Sequence, residues 1–212
     1  MESCRASKLA AYPQKEAPLI RLALKTADPA RLASAGDQSA IARLFVDAFT
    51  GHPIARLPKP IQKNFVAAHI DEGLALVDTD PTTGRVRGFA IGGKRESLER
   101  ARRTFIYRNA VSLAFHTVFQ RERVLRLPKP GARAHASSPA ASCELRYLAV
   151  EPSERGRGIG SALLRTLEQT ILREQPYCVW VLGARALALQ FYLRHGFRAE
   201  FEVDGHIRMV KT

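Results

Sequence analysis

Between residues 155 and 161 the chain reads Arg-Gly-Arg-Gly-Ile-Gly-Ser, a run of residue types suited to holding an anion. Gly156, Gly158 and Gly160 remove side chains at alternate positions, so the backbone can approach a ligand closely and take positive φ where needed. From Ser161 onward the apolar residues Ala162, Leu163, Leu167 and Ile171 recur at helical spacing, which makes the glycine run the first turn of a helix. Unpaired amides at that helix start, the positive end of its dipole and the flanking Arg155 and Arg157 together form an anion site. A Walker loop would need Lys and then Ser or Thr after its last glycine, and Ser161 and Ala162 stand there instead. The dinucleotide fingerprint fails as well, because position 161 is Ser and the next apolar run, 177–182, ends in Gly183 and not in an acidic ribose-binding residue.

The elements that must position this loop follow from the pattern around it. Leu145, Tyr147, Leu148 and Val150 predict a short buried strand, which Pro152 terminates because it cannot donate to a ladder. Upstream, the order reads as a strand at 19–24, helices at 37–49 and 61–70, and strands at 74–77 and 86–91. The last two are joined by Asp80-Pro81-Thr82-Thr83-Gly84, whose turn-forming residues predict a hairpin. Residues 96–126 carry Leu98, Ala101, Phe105, Val111, Ala114, Phe115 and Val118 among many arginines, which predicts one or two amphipathic helices. The stretch 128–142 is small, polar and proline-punctuated and reads as a connector. Arg-Leu-Pro-Lys-Pro occurs at 56–60 and again at 126–130, which reads as two rigid loop entries and not as a repeat.

A chain of 212 residues with 46% hydrophobic content can bury one α/β core and would be cramped as two domains. We expect a loose tail at 1–17 and a single domain at 18–212 with a basic helical insertion at about 95–142. No apolar run approaches membrane-spanning length, and the charged N-terminus lacks an apolar signal core. Cys4, Cys143 and Cys178 are scattered and fit neither a disulfide framework nor zinc-ligand spacing, so a cytoplasmic location and no metal are expected. Between Arg85 and Arg133 thirteen Arg or Lys face three Glu, a net of +10 within the chain's +13. That excess reads as a solvated helix face, with a nucleic-acid patch as a further reading that no base-reading module supports.

The pattern Arg155-x-x-Gly158-x-Gly160, followed by Ala188-x-x-Phe191-Tyr192-x-x-x-Gly196-Phe197, resembles the two signatures of the GCN5-related N-acetyltransferase (GNAT) superfamily. The resemblance covers roughly residues 18 to 211 and is carried most strongly by 144–198. It implies an α/β fold with one mixed, mostly antiparallel twisted sheet of about six to seven strands flanked by helices, in which the parallel central strands at 145–150 and 177–182 splay apart. It implies acetyl-CoA as donor, its pantetheine arm along the backbone of Leu148, Ala149 and Val150 and its pyrophosphate on Arg155, Gly156, Arg157, Gly158, Ile159, Gly160 and Ser161. Tyr192 matches the family tyrosine that serves as general acid toward the coenzyme A sulfur, although the same residue could pack on the sheet.

Glu144 is the leading base candidate, equally readable as a strand-end carboxylate in solvent, with Asp47 and Glu72 as reserves. Many relatives carry Asn where this chain has Arg185, so no cofactor role transfers to it; its guanidinium could meet a phosphate or point into solvent. His195 reads as a helix-end residue, Cys143 as an inert thiol and Trp180 as core. The function implied is N-acetyl transfer to a primary amine of a small acceptor by direct attack. A non-catalytic acyl-CoA-binding module is the rival, and the partners expected are acyl-CoA, an amine acceptor and, by analogy, a second copy. The superfamily varies on its substrate side, so the resemblance also makes the basic insertion a candidate acceptor-site wall, and its charge disfavours a polycationic acceptor and favours neutral or acidic amines.

Overall fold

The structure, a computed structural model, describes residues 30–119, 142–173 and 175–211. Its sheet has seven strands in the order β1-β2-β3-β4-β5-β7-β6, with β1 at Ala30–Leu32, β2 at Ala75–Thr79, β3 at Val86–Lys94, β4 at Cys143–Val150, β5 at Tyr177–Leu182, β6 at Arg198–Val203 and β7 at His206–Lys211. All neighbours are antiparallel except β4 and β5, so the mixed sheet expected from the sequence is the one observed. The strand expected at 19–24 lies outside the described residues; the edge place in the sheet is taken by the three-residue β1.

Local chemistry fixes the turns. Asp80 Oδ1 accepts from the amides of Thr82 and Thr83 at 2.9 Å each, and Gly84 closes the β2–β3 hairpin at φ +71°. Asp204 and Gly205, at φ 51° and 71°, supply the paired left-handed conformations that suit a two-residue turn between β6 and β7.

Helices α1 (Gln38–Ala48), α2 (Lys59–Asp71) and α3 (Arg95–Arg108) pack on one face of the sheet. There Ile41, Leu44, Phe45, Phe65, Val66 and Leu98 meet Val77, Phe89 and Ile91. In the turn that leads into α1, Asp37 accepts from the Ser34 amide and hydroxyl at 2.7 and 2.8 Å and grips Arg31 of β1 with both oxygens, at 2.8 and 2.9 Å. Helices α5 (Ile159–Leu167) and α6 (Ala186–Arg194) cover the opposite face, where Leu163, Leu164 and Leu167 are buried against Leu76, Ala90, Leu145 and Val179. Each such leucine contributes about 1.5–3 kcal/mol of transfer free energy. The basic insertion is helical as expected, α3 being followed by α4 (Ala110–Phe119); residues 120–141, including most of the expected connector and the second Arg-Leu-Pro-Lys-Pro, lie outside the described residues.

Candidate functional site

The central strands part where the chemistry was expected. β4 and β5 are paired over three rows only, Cys143 with Tyr177, Glu144 with Cys178 and Leu145 with Val179. Beyond them the β5-facing backbone edge of β4, from Arg146 to Val150, has no strand partner, while the opposite edge stays laddered to β3. Strand residues turn their N–H and C=O to alternate edges; Glu151 N–H donates to the Arg87 carbonyl, so Ala149 bonds toward β3, and it is Leu148 and Val150 whose backbone groups face the gap.

A bulge sits at the mouth of this opening. Ile91 of β3 faces Tyr147 and Gly92 faces Leu145, so Arg146 is the extra residue on β4. The bulge resets the alternation: Leu145, Leu148 and Val150 face α5, whereas Glu144, Tyr147 and Ala149 face α1 and α2. Gly92 permits it, since a Cβ there would stand 2.9 Å from the Glu144 carbonyl oxygen. The sequence reading took 145–150 as a plain strand and missed this kink.

The anion loop follows at once. Gly156 and Gly158 both hold φ +80°, and a Cβ on either would meet nothing within 4 Å, so each needs glycine for its backbone and opens onto free space. Gly158 is the N-cap of α5, and the first internal bond of that helix runs from Ala162 to the Gly158 carbonyl, at 2.9 Å. The amides of Ile159, Gly160 and Ser161 therefore have no acceptor within the helix. Ile159 is buried and can serve a ligand only through its backbone.

Ion pairs hold the loop in place. Arg157 reaches Glu154 at 3.2 Å, Arg85 reaches both Glu151 and Glu154, and Arg43 of α1 reaches Glu151 at 3.6 Å. Arg155 folds back so that its Nε donates to the Val150 carbonyl at 3.2 Å, leaving its guanidinium on the surface beside the loop. These donors and this charge fit a pyrophosphate.

On α6, Phe191 packs on Gly160, where a Cβ would come within 3.4 Å of its ring. His195 Nδ1 donates to the Phe191 carbonyl at 2.8 Å, as expected of a helix-end residue. Its Nε2 shares a hydrogen bond with the Ser161 hydroxyl at 2.9 Å. This second bond, between residues 34 apart in sequence, ties α6 to the anion loop and left no local signal.

Tyr192 is buried between Phe191 and Phe197, both with ring centroids 5.1 Å away, and burial pushes its phenol above the ordinary range, so it is a protonated donor at neutral pH. Tyr192 belongs to the α5 side of the sheet and Glu144 to the α1 side, so the two candidates flank the parting strands from opposite faces.

Glu144 is half-buried and accepts from Arg146 Nε at 3.2 Å; Arg146 also reaches Glu99 of α3 at 3.2 Å. The reserves stand elsewhere: Asp47 is exposed at 4.0 Å from Arg43, and Glu72 is engaged by Arg100. Arg185 is exposed and donates through both terminal nitrogens at 3.2 Å to the carbonyl of Ala48, the C-terminal residue of α1. It thereby bridges the start of α6 to α1.

Sequence reasoning also missed a polar pair within the aromatic cluster of Phe45, Phe49, Phe65 and Tyr147. The Ile54 amide donates to His52 Nδ1 at 3.2 Å, so Nε2 carries the proton and donates to the Tyr147 oxygen at 3.1 Å. Cys143 is buried with its thiol 3.3 Å from Gln175 Oε1, in keeping with an inert thiol. Trp180 is half-buried against Phe201 and lies in neither core cluster, so its reading as core is corrected. Among the described residues no group of three metal-ligating side chains is found, and no helix is long and apolar enough to cross a membrane.

Several arginines of the basic insertion have acidic partners: Arg102 pairs with Glu99 of the same helix, while Arg100 and Arg108 pair with Glu72 and Asp71 at the end of α2.

Residues 117–199 match the acetyltransferase (GNAT) domain family. A stretch of 70 residues is 39% identical to an uncharacterised N-acetyltransferase of Methanocaldococcus jannaschii, and the match spans 32% of this chain and 31% of that curated relative's length. The fold resembles an N-acetyltransferase from Staphylococcus aureus Mu50, with TM-score 0.60 and 17% identity over 85% of this chain and 97% of the other. It also resembles a PaiA N-acetyltransferase from Thermoplasma acidophilum in complex with coenzyme A, with TM-score 0.51 and 12% identity over 86% and 96% of the two chains.

Proposed function

We propose that this chain, whose residues 117–199 match the acetyltransferase (GNAT) domain family, is a member of the GCN5-related N-acetyltransferase superfamily and transfers an acetyl group from acetyl-CoA to the primary amine of a small acceptor by direct attack. The observation that carries this reading is the parting of β4 and β5 beyond Leu145 and Val179, with glycines at φ +80° and the free first turn of α5 at its mouth. An unpaired strand edge suits the amide groups of a pantetheine arm, and the loop supplies amides and guanidinium charge to the pyrophosphate.

The amine nitrogen, once neutral, attacks the thioester carbonyl carbon; the C–S bond breaks, the amide forms, and the sulfur takes a proton to leave as the free thiol. Glu144, through water, receives the proton lost by the amine. Tyr192, kept protonated by burial, gives one to the sulfur. Residues 18–212 form one domain in this reading, with the helices after β3 as a wall of the acceptor site, and the two free, buried cysteines suit a reducing cytoplasm.

One observation favours the rival, an acyl-CoA-binding module without turnover: Glu144 already has an ion-pair partner in Arg146. Mass spectrometry after incubation with acetyl-CoA and an amine panel tests the choice. The proposal expects an acetylated amine and an unmodified protein; bound coenzyme with no acetylated amine supports the module, and an acetylated protein would point to a covalent route.

A further inference from the structure

We infer that the acceptor amine also carries a carboxylate, and that this carboxylate docks on the Nε and Nη2 edge of Arg208. The inference rests on the acyl-transfer reading and names the substrate class of the same site. Glu144 of β4 lies opposite Cys178 of β5, Cys178 opposite Val210 of β7, and Trp180 opposite Arg208. Neighbouring partners share a face and alternate residues return to it, so Glu144, Cys178, Trp180 and Arg208 all lie on the sheet face that carries α1, α2 and α3. Strand spacings put the Cα atoms of Glu144 and Arg208 about 12 Å apart, a span that two side chains and one small molecule can fill.

Arg208 is fully buried, with 0% exposure. Its Nη1 pairs with Glu200, which a bulge in β6 delivers: Ala199 faces Met209 and Phe201 faces Arg208, leaving Glu200 as the extra residue aimed at the guanidinium. The Phe201 ring stands 5.6 Å from the guanidinium carbon, and Trp180 meets that ring edge-on at 5.8 Å. Nε and Nη2 meet no nitrogen or oxygen acceptor among the described residues, and the thiol of Cys178, which Arg208 approaches closely enough to hydrogen-bond, is a weak acceptor.

Those two N–H groups point the same way from one planar edge, at the separation of a carboxylate's two oxygens. Buried donors of a charged group are rarely left without an acceptor, and here the missing acceptor has the shape of a second carboxylate. The neighbourhood is electrically joined: burial and Glu144 raise the Cys178 thiol, while Arg208 draws it down through its charge and a side-chain hydrogen bond. An acceptor with its amine toward Glu144 and its carboxylate on Arg208 would therefore lie along this row of the sheet. Because Phe201 and Trp180 flank Arg208, docking must displace their rings, and Trp180 is the only tryptophan in the chain.

The protein loaded with coenzyme A is titrated with leucine and β-alanine and, in parallel, with leucinamide and β-alaninamide, following Trp180 fluorescence; acetyl-CoA then replaces coenzyme A and thiol release is measured. At least one carboxylate-bearing probe should give a saturable change at a concentration ten-fold or more below its amide, and Arg208→Lys, which keeps the charge and loses the fork, should remove that preference. Equal responses to acid and amide, no response to any acid, or a preference that survives in Arg208→Lys overturns the inference. The wild-type comparison decides even where the variant folds poorly. Thiol release from acids and amides alike overturns the carboxylate site and leaves the transferase standing, whereas acid-selective, Arg208-dependent binding without thiol release supports the site and removes the transferase.

Discussion

Glu144 is the residue at which the catalytic reading is most exposed, because Arg146 already engages one of its two carboxylate oxygens. Replacing it with Gln keeps the size of the side chain and leaves Arg146 its second partner, Glu99. If Glu144 receives the amine proton, kcat/KM should fall about 100-fold, with donor affinity unchanged. A variant that runs at the wild-type rate would assign the carboxylate a purely structural part in the pair with Arg146. Residues inside the two motifs, Arg155 to Ser161 and Tyr192, were legible because their spacing is local. The bonds from Ser161 to His195 and from His52 to Tyr147 were not, since they join residues 34 and 95 apart and depend on how separate elements pack. Arg208 was equally silent, reading in sequence as one more basic residue in a strand.

At the scale of elements, the anion loop is built on backbone conformation. Gly158 sits at φ +80° with open space before it, so Gly158→Ala adds left-handed strain without a clash, about 1–2 kcal/mol by the usual cost for an L-residue. We predict a melting temperature lower by several degrees and a weaker coenzyme A complex, read by thermal shift with and without the ligand. An unchanged pair of values would mean that the loop does not need its left-handed residue. Periodicity placed the helices well, 37–49 against the observed Gln38–Ala48 and 61–70 against Lys59–Asp71, because their apolar stripes face a core. It did not show the bulge at Arg146, as the extra residue becomes visible only when β4 is laid against β3. The short edge strand β1 has too few residues to make a pattern at all.

Over the whole molecule, the surplus of positive charge is less available than the sequence suggests, because arginines of α3 are spent on Glu72, Glu99 and Asp71. Stability should respond to pH through groups in the core. His69 is buried with its pKa lowered to about 4, chiefly by burial, against the Phe65 carbonyl bond that favours the proton. Its folded value lies below the unfolded one, so the unfolded chain takes up a proton that the folded chain refuses. Stability is thus lost as pH falls from about 6.5, the ordinary histidine value, and the loss levels off below about 4. Melting temperatures across that window should fall more steeply for the wild type than for His69→Phe; parallel curves would show that His69 does not drive the acid response.

The central claim is that the parted strands hold a donor whose acetyl group leaves for an amine while Tyr192 protonates the sulfur. The most direct measurement is thiol release from acetyl-CoA over an amine panel, run with the wild type and Tyr192→Phe. The account predicts amine-dependent release by the wild type and a kcat about 100-fold lower in the variant, at nearly the same affinity for coenzyme A. Coenzyme binding with no thiol released for any amine, or a Tyr192→Phe variant as fast as the wild type, would contradict it.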